Sequence, residues 1–351
     1  MSKTVKIGVI GCGVIGKRHV AAGVKCPHGE LVAVADLVPA KLEEAKKMAP
    51  GVRTYATGAE LLEDRDIDAV VLAMPTYQRS PLALASFAKG KHVLIEKPVA
   101  MNVKDLEGII TAQKDKVAAC CSSRFRFLPS NAAIAQFLAA KQLGNLRIIR
   151  ARGVFGAGPR PTWALPDWRL KRAQNGGGYL VNWGCYDLDF ILGTTGWNLV
   201  PQSIFAQTWG LAPHLSTRAT PGSEAETHFI TLIRCAGGVT ISFERGEFTS
   251  SAPEHVHQFI GETGTIRTVM VGGKKTVYHD HTDSEFGMLT RAFWDGEDPH
   301  EPTSSGPLHD FASAIAQGHP PKTSLKQAML IQRITDAIYQ SAATGKSVDL
   351  A

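Results

Sequence analysis

Residues 1–125 alternate short, nearly unbroken apolar runs with stretches whose apolar positions recur at helical spacing. The runs are VKIGVI (5–10), LVAVAD (31–36), AVVLAM (69–74), HVLIEK (92–97) and VAACCS (117–122). They have strand length and no clear polar face, which is the pattern of strands covered on both sides in a parallel sheet. Between them, 13–25, 39–48, 80–90 and 103–115 read as helices, the second with Pro39 near its first turn. Strand–helix–strand alternation predicts a doubly wound α/β domain over 1–125.

The rhythm changes after residue 125. A helical stretch (129–140) leads to the strand-like LRIIRARGVF (146–155), then to a loop rich in Pro, Trp and Arg (156–175) and a Gly-rich helix entry (176–192). Residues 201–281 are dominated by alternating segments such as HFITLIRC, GVTISFER, HVHQFIG and IRTVMVG. Alternation of period two predicts half-buried antiparallel strands, hence a second, α+β domain over 126–305 with a large, mostly antiparallel sheet. The closing segments, within about 306–345, have apolar residues at helical spacing and are free to pack back on the first domain.

Length agrees with two domains, since 351 residues make about two units of ~100–200 residues. The longest apolar runs fall far short of the ~20 residues a membrane-spanning helix needs. The N-terminal apolar stretch is broken by glycines and closes on Lys17-Arg18-His19, unlike a secretory leader. The six cysteines (12, 26, 120, 121, 185, 235) form no CxxC pair, the usage of a reduced, cytoplasmic protein. Net charge is +6, but Lys141 to Arg172 alone carries eight Lys/Arg against Asp167. The excess is local, with no basic tail or aromatic–basic platform, so neither nucleic acid nor membrane is expected as a partner.

The first run continues as Gly11-Cys12-Gly13-Val14-Ile15-Gly16, a GxGxxG between a strand and a helix. Glycines there permit a tight turn, backbone approach to a pyrophosphate and close helix–strand packing. Asp36 ends the second run, 20 residues after Gly16, where an acid accepts the adenosine ribose hydroxyls and repels a 2′-phosphate. No arginine follows in Leu37-Val38-Pro39, so the motif predicts a Rossmann domain that takes NAD in preference to NADP. Met74, Pro75 and Thr76, at the end of the third run and just beyond it, are further candidate cofactor contacts.

HVLIEKPVA sets Glu96, Lys97 and Pro98 at the carboxyl end of a parallel strand, where ligands of open α/β sheets sit. Together with the glycine fingerprint, AVVLAMPT, the GGGYLVNWGCYDLDF block (176–190) and the ending PLHDFASAIAQG…SVDL, this motif resembles the glucose–fructose oxidoreductase/inositol dehydrogenase (Gfo/Idh/MocA) family over nearly the whole chain. The resemblance implies that Lys97 is the catalytic lysine, often before a cis proline, and that the second domain's sheet supplies an oligomer face, as in relatives, for a homodimer or homotetramer.

In that family the GGG block reads GGGxxxDxGxHxxD. Here Asn182 and Tyr186 stand at the Asp and His positions, with Asp189 at the last. An i, i+4 spacing puts 182 and 186 on one helical face. Asn182 can donate and accept hydrogen bonds but not exchange a proton, whereas the Tyr186 phenol can. A second departure is Arg79, where the family often has histidine. Arg124 and Arg126 follow the last run of the first domain as candidate substrate and cofactor contacts respectively. Trp163, Trp168 and Arg169 lie in the loop before the block, where flat aromatics and a guanidinium fork suit sugar faces, hydroxyls or carboxylates.

His255-His257 and His279-Asp280-His281 each place two imidazoles on one strand face, but no third ligand has supporting spacing and no metal is expected. GxSxG and HExxH are absent. The expectation is an NAD-dependent oxidoreductase acting on a secondary alcohol of a cyclic polyol, sugar or sugar derivative, acidic or glycosidic ones included. Lys97 and Tyr186 would handle the proton and Asn182 orient the hydroxyl. The alternatives are a keto-sugar reductase, a dihydrodiol dehydrogenase, or a non-catalytic NAD- and sugar-sensing regulator on the same fold.

Overall fold

The computed structural model describes residues 4–159, 166–271 and 274–350. The chain divides into two compact units, one of residues 1–124 and 300–332, the other of 125–299 and 333–351. The first holds a six-stranded parallel sheet: β1 (Val5–Ile10), β2 (Gly29–Ala35), β3 (Arg53–Tyr55), β4 (Ala69–Leu72), β5 (His92–Ile95) and β6 (Ala118–Cys120), in the order β3-β2-β1-β4-β5-β6. Its crossovers are α1 (Val14–Val24), α2 (Pro39–Met48), α3 (Gly58–Glu63), α4 (Arg79–Ala88) and α5 (Val103–Gln113). Side chains set several boundaries. Pro39 opens α2 where its missing N–H is no loss, and Thr57 and Asn102 cap α3 and α5 by accepting from Glu60 N and Asp105 N.

In the second unit, α6 (Pro129–Ala139) precedes β7 (Leu146–Gly156), and the four-residue α7 (Arg172–Asn175) leads through a π-helical turn, Leu180–Gly184, into α8 (Cys185–Thr194). Then come β8 (Pro201–Trp209), β9 (His228–Cys235), β10 (Thr240–Thr249), β11 (Glu254–Gly261), β12 (Gly264–Val271), β13 (Lys274–Asp283) and β14 (Gly287–Asp295). The chain closes with α9 (Glu301–Gln317), α10 (Leu325–Thr344) and β15 (Val348–Asp349). The nine-stranded sheet runs β14-β13-β12-β11-β7-β10-β9-β8-β15 and is antiparallel except where β10 pairs with β7. Alternation along β9, whose even positions Ile230 and Leu232 are exposed and odd positions Phe229 and Ile233 buried, leaves one sheet face covered and the other open.

Two elements of the first sheet crossing, β3 and α3, were not legible as periodic patterns, since three and six residues are too few to repeat. The open sheet also runs on to Asp295, beyond the 201–281 stretch, because β14 is an edge strand with mostly exposed residues and little alternation. The apolar runs overestimate several strands, and β6 keeps only Ala118–Cys120 of the 117–122 run. β4 stops at Leu72 and β5 at Ile95, so Met74–Thr76 and Glu96–Pro98 lie in the turns beyond them. Glu96 N still donates to Leu72 O at 3.1 Å, but its carbonyl accepts from Arg79 Nη1 at 3.0 Å, and the ladder ends there.

The parallel sheet is buried on both sides. One layer packs Ile10, Leu72 and Ile95 with Leu106 and Ile109 of α5 and Leu325 of α10. The other packs Ile7, Val9, Val71 and Leu94 with Val20 of α1 and Leu308, Phe311 and Ala312 of α9. The late helix α9 is thus part of the first unit's core. Truncating its fully buried Phe311 to alanine is expected to cost about 3–5 kcal/mol, measured by guanidinium unfolding of the full chain. A loss below 1 kcal/mol would contradict this placement of α9.

Candidate active site

The first unit collects its candidate residues at the carboxyl ends of β1, β2, β4 and β5. Gly11 takes a left-handed φ of +92°, and a Cβ on Gly16 would stand 1.8 Å from the Gly11 carbonyl oxygen. Only glycine at both positions lets α1 start this close to β1. No side chain caps α1 at Gly13, which leaves the first-turn N–H groups of a helix available to an anion. Cys12 is buried, its thiol pushed up to about 12 by burial and then by Asp36; its N–H donates to Asp36 Oδ2 at 2.7 Å. Asp36 Oδ1 accepts from Val38 N at 2.9 Å, with Lys41 Nζ 3.9 Å away. The glycine turn, the uncapped α1 and the oriented Asp36 carboxylate suit the pyrophosphate and ribose of a dinucleotide, with Val14 and Ile15 opening the helix.

Lys97 follows β5, joined to Pro98 by a cis peptide bond. The polar backbone around it is engaged. Arg79, buried at the start of α4, donates from Nε to Met74 O at 2.8 Å and from Nη1 to Glu96 O at 3.0 Å and to Pro98 O. The arginine at this departure from the family pattern therefore ties the β4 turn, with Met74, Pro75 and the fully buried Thr76, to the Glu96–Pro98 turn. Lys97 N donates to Glu96 Oε2 at 3.2 Å. Glu96 Oε1 accepts from His19 Nε2 at 2.8 Å and from Arg124 Nη2. Arg124 is buried, and its Nη1 also donates to Thr303 O at 2.7 Å. The structure engages this candidate substrate residue in an interior ion pair.

The second unit holds the GGG block. A Cβ on Gly178 would lie 1.9 Å from the Glu226 carbonyl oxygen, so only glycine allows the loop this near the chain at 226. The Glu226 carboxylate accepts from Gly178 N at 3.0 and 3.1 Å, from Leu180 N at 3.0 Å and from Tyr339 Oη at 2.9 Å. Burial raises the Glu226 carboxyl from its usual range despite these donors. This carboxylate, absent from the sequence reading, holds the entry to the helix that bears Asn182 and Tyr186. That entry is π-helical at Leu180–Gly184, a wider turn than the α-helix expected and one found often at functional sites.

Asn182 is buried. Its Nδ2 donates to Arg169 O at 3.3 Å, and its Oδ1 accepts from Asn175 Nδ2 at 3.4 Å. Tyr186, also buried, packs against Phe125 (5.1 Å between centroids) and edge-on to Trp183 (5.8 Å). Arg169 and the half-buried Trp168 lie in the turn before α7, and Arg169 Nη2 pairs with Glu247 Oε2 at 2.5 Å. Trp163 lies outside the described residues. Arg126 donates from Nε to the buried Asp189 Oδ1 at 2.6 Å and sits over the Trp197 ring. Half of the basic segment is paired with acids: besides Arg169, Arg152 with Glu244 and Glu254, Lys171 with Asp167, and Arg147 with Glu262.

Among the described residues two trios bring ligand-type atoms within 4.8 Å: His19, Glu96 and Cys121, and Asp187, His255 and His257. The second supplies a third group beside His255-His257 that spacing alone did not reveal. In each trio an arginine, Arg124 or Arg245, already pairs with the carboxylate, and its charge opposes a cation there. Burial alone would push the Asp187 carboxyl up; Arg245 and the His257 hydrogen bond outweigh it and hold it at about 2.

With a folded value below the reference 3.8, Asp187 stabilises the protein above that pH and loses this contribution as pH falls through about 2. Asp187→Asn, which leaves Arg245 buried without its counter-charge, is expected to cost about 3–5 kcal/mol at pH 7. The gap to the unmutated protein should narrow by about 2 kcal/mol between pH 4 and pH 2. Urea unfolding at pH 7 and from pH 4 to pH 2 checks both; a gap independent of pH would exclude the ion pair as its cause.

Two family models match the chain, one described as an oxidoreductase family with an NAD-binding Rossmann fold, over residues 5–122, the other as the GFO/IDH/MocA C-terminal domain, over residues 131–267. Among curated proteins the chain is similar to 1,5-anhydro-D-fructose reductase of Ensifer adhaerens, 27% identical over 98% of each chain. It is also similar to levoglucosan dehydrogenase of Pseudarthrobacter phenanthrenivorans, 24% identical over 99% of this chain and 98% of that one. A solved structure of levoglucosan dehydrogenase in complex with NADH and levoglucosan has the same fold, with a TM-score of 0.85 and 22% identity over 99% of both chains.

Proposed function

The chain belongs to the GFO/IDH/MocA family of NAD-binding oxidoreductases, and on that premise we propose that it moves a hydride between NAD and a secondary alcohol of a cyclic polyol, sugar or sugar derivative. The observation that carries this reading is Lys97, held at the carboxyl end of β5 in the unit that also bears the glycine turn and Asp36. Bound NAD supplies the hydride acceptor at its nicotinamide ring. Lys97 donates a hydrogen bond to the reacting oxygen and favours its negative charge as the proton leaves. Tyr186 takes that proton as it gives its own phenolic proton to water, and the Asn182 amide orients the same hydroxyl. Asp36 favours NAD over NADP, because its carboxylate repels a 2′-phosphate.

A neutral substrate fits better than an acidic one, since Arg147, Arg152, Arg169 and Lys171 are already paired with carboxylates. Relatives named for 1,5-anhydro-D-fructose and levoglucosan, both similar over nearly the full chain, point to cyclic ethers of sugars. The first of these also supports a second reading, reduction of a keto-sugar. The test is single-turnover absorbance at 340 nm. Protein loaded with stoichiometric NAD⁺ is mixed with levoglucosan, inositols, aldoses, glycosides and sugar acids, and NADH-loaded protein with 1,5-anhydro-D-fructose. A signal with a neutral cyclic substrate is expected, and Lys97→Ala and Tyr186→Phe should each slow it about 10²–10⁴-fold. Full turnover in Lys97→Ala with normal NADH binding would overturn the mechanism.

We further propose that the chain forms homodimers or homotetramers through the open face of the nine-stranded sheet. Phe205 and Leu232 are cross-strand partners there, 53% and 50% exposed, and contiguous apolar exposure of this kind marks an interface. Leu232→Lys is expected to shift the protein to monomer in light scattering coupled to gel filtration, and an unchanged mass would remove this face from the interface.

A further inference from the structure

Glu96 is the most enclosed charge near the proposed catalytic lysine, with 1% of its surface exposed. Burial would raise its carboxyl, but Arg124, the His19 hydrogen bond and the Lys97 charge together hold it well below the usual range, so it is a carboxylate. His19 is fully buried, and its value is lowered by that burial against the pull of Glu96. A neutral imidazole beside a carboxylate donates through Nε2, leaving Nδ1, which has no hydrogen-bond partner, as the unprotonated nitrogen. His19 belongs to α1, the helix that starts at the glycine turn, and Arg124 follows β6. Glu96 directly precedes Lys97 and accepts its N–H.

We propose that His19, Glu96 and Arg124 are positioning residues for Lys97. Their shared carboxylate fixes the lysine's backbone, sets the charge its ammonium feels, and connects it to the helix that opens the dinucleotide site. The inference rests on the reading of Lys97 as the lysine that serves the reaction. Four observations support it. The carboxylate has one oxygen on Lys97 N and the other on His19 and Arg124. The guanidinium is anchored a second time by Thr303 O. The neighbouring carbonyls of Glu96 and Pro98 are held by Arg79. The remaining titratable neighbour, Cys121, with its Sγ 3.9 Å from His19 Nε2, has its thiol raised by burial and then by Glu96, and stays protonated. Among the charges on these elements, Glu96 interacts with the Lys97 charge, and Arg124 is paired with Glu96.

The test reads Lys97 itself and needs no substrate. Competitive acetic anhydride labelling of the full chain across pH, followed by mass spectrometry of the Lys97 peptide, gives its apparent pKa. Glu96→Gln removes the carboxylate and is expected to lower that pKa by about one unit, roughly tenfold faster labelling at a fixed pH below it. Arg124→Gln removes the opposing charge and should raise it, and the double variant should fall between the two. Opposite shifts distinguish charge positioning from general loosening, which would move both variants the same way.

If either single variant fails to fold by circular dichroism, Glu96→Asp carries the test. It keeps the charge but withdraws the carboxylate by one methylene, and is expected to speed hydrogen exchange at the Lys97 amide and displace its labelling curve. Coincident labelling curves in all folded variants, or shifts of one sign, would overturn the proposal. An inactive substrate panel would leave these shifts intact, so failure of the functional reading and failure of the network are separable.

Discussion

A carboxylate withdrawn from water must be given donors or it will not stay ionised, and three buried acids fix the segments that bear the proposed catalytic residues. Glu96 takes donors from His19, Arg124 and Lys97 N, and so settles the turn after β5. Glu226 takes two backbone N–H groups and the Tyr339 phenol, and so settles the entry to the helix with Asn182 and Tyr186. Asp187, one residue beyond Tyr186, is clamped by Arg245 and His257 against the covered face of the sheet. Each acid acts on backbone or on a helix next to a proposed catalytic side chain. Rigidity at such positions is what lets a lysine or a phenol meet a small substrate in one orientation.

The parallel sheet was legible because its strands are apolar throughout, and the glycine fingerprint because the tight turn and close helix start tolerate no other residue at Gly11 and Gly16. The antiparallel sheet was legible from alternation in β9 and β10, where one face is covered and one open. Short elements such as β3 and the edge strand β14 carry no such period. The site was only half visible. Lys97, Asp36, Asn182 and Tyr186 stand in recognisable motifs, whereas Glu226 and Tyr339 reach the GGG loop from 48 and 161 residues beyond Gly178, and no local pattern announces them. His19 had a signal in its place three residues past Gly16, on the buried side of α1, but a lone histidine on an apolar face reads first as core.

Cations were the hardest residues to place from sequence, because a guanidinium serves a ligand or an interior acid with the same donors. Arg124 is engaged by Glu96, Arg126 by Asp189, Arg169 by Glu247 and Arg79 by three backbone carbonyls. Part of the local excess of positive charge between Lys141 and Arg172 is thus answered by acids that lie far away in sequence, Glu244, Glu247, Glu254 and Glu262. A charge run read along the chain overstates the field that a ligand would meet once the sheet has brought these partners in.

The two departures inside the GGG block are chemically consistent with each other. A carboxylate at 182, on the same helical face as a phenol at 186, would oppose ionisation of that phenol through like charge. An amide at 182 removes this penalty while still offering a donor and an acceptor to a substrate hydroxyl. The Asn182 side chain is held by Arg169 O and Asn175, so its orientation is fixed before any ligand arrives. In the proposed mechanism the proton is therefore handled by one group in this unit, Tyr186, and the neighbouring position is reduced to orientation. Replacing an acid–imidazole pair by an amide–phenol pair keeps two hydrogen-bonding side chains at these positions while taking one ionisable group out of the block.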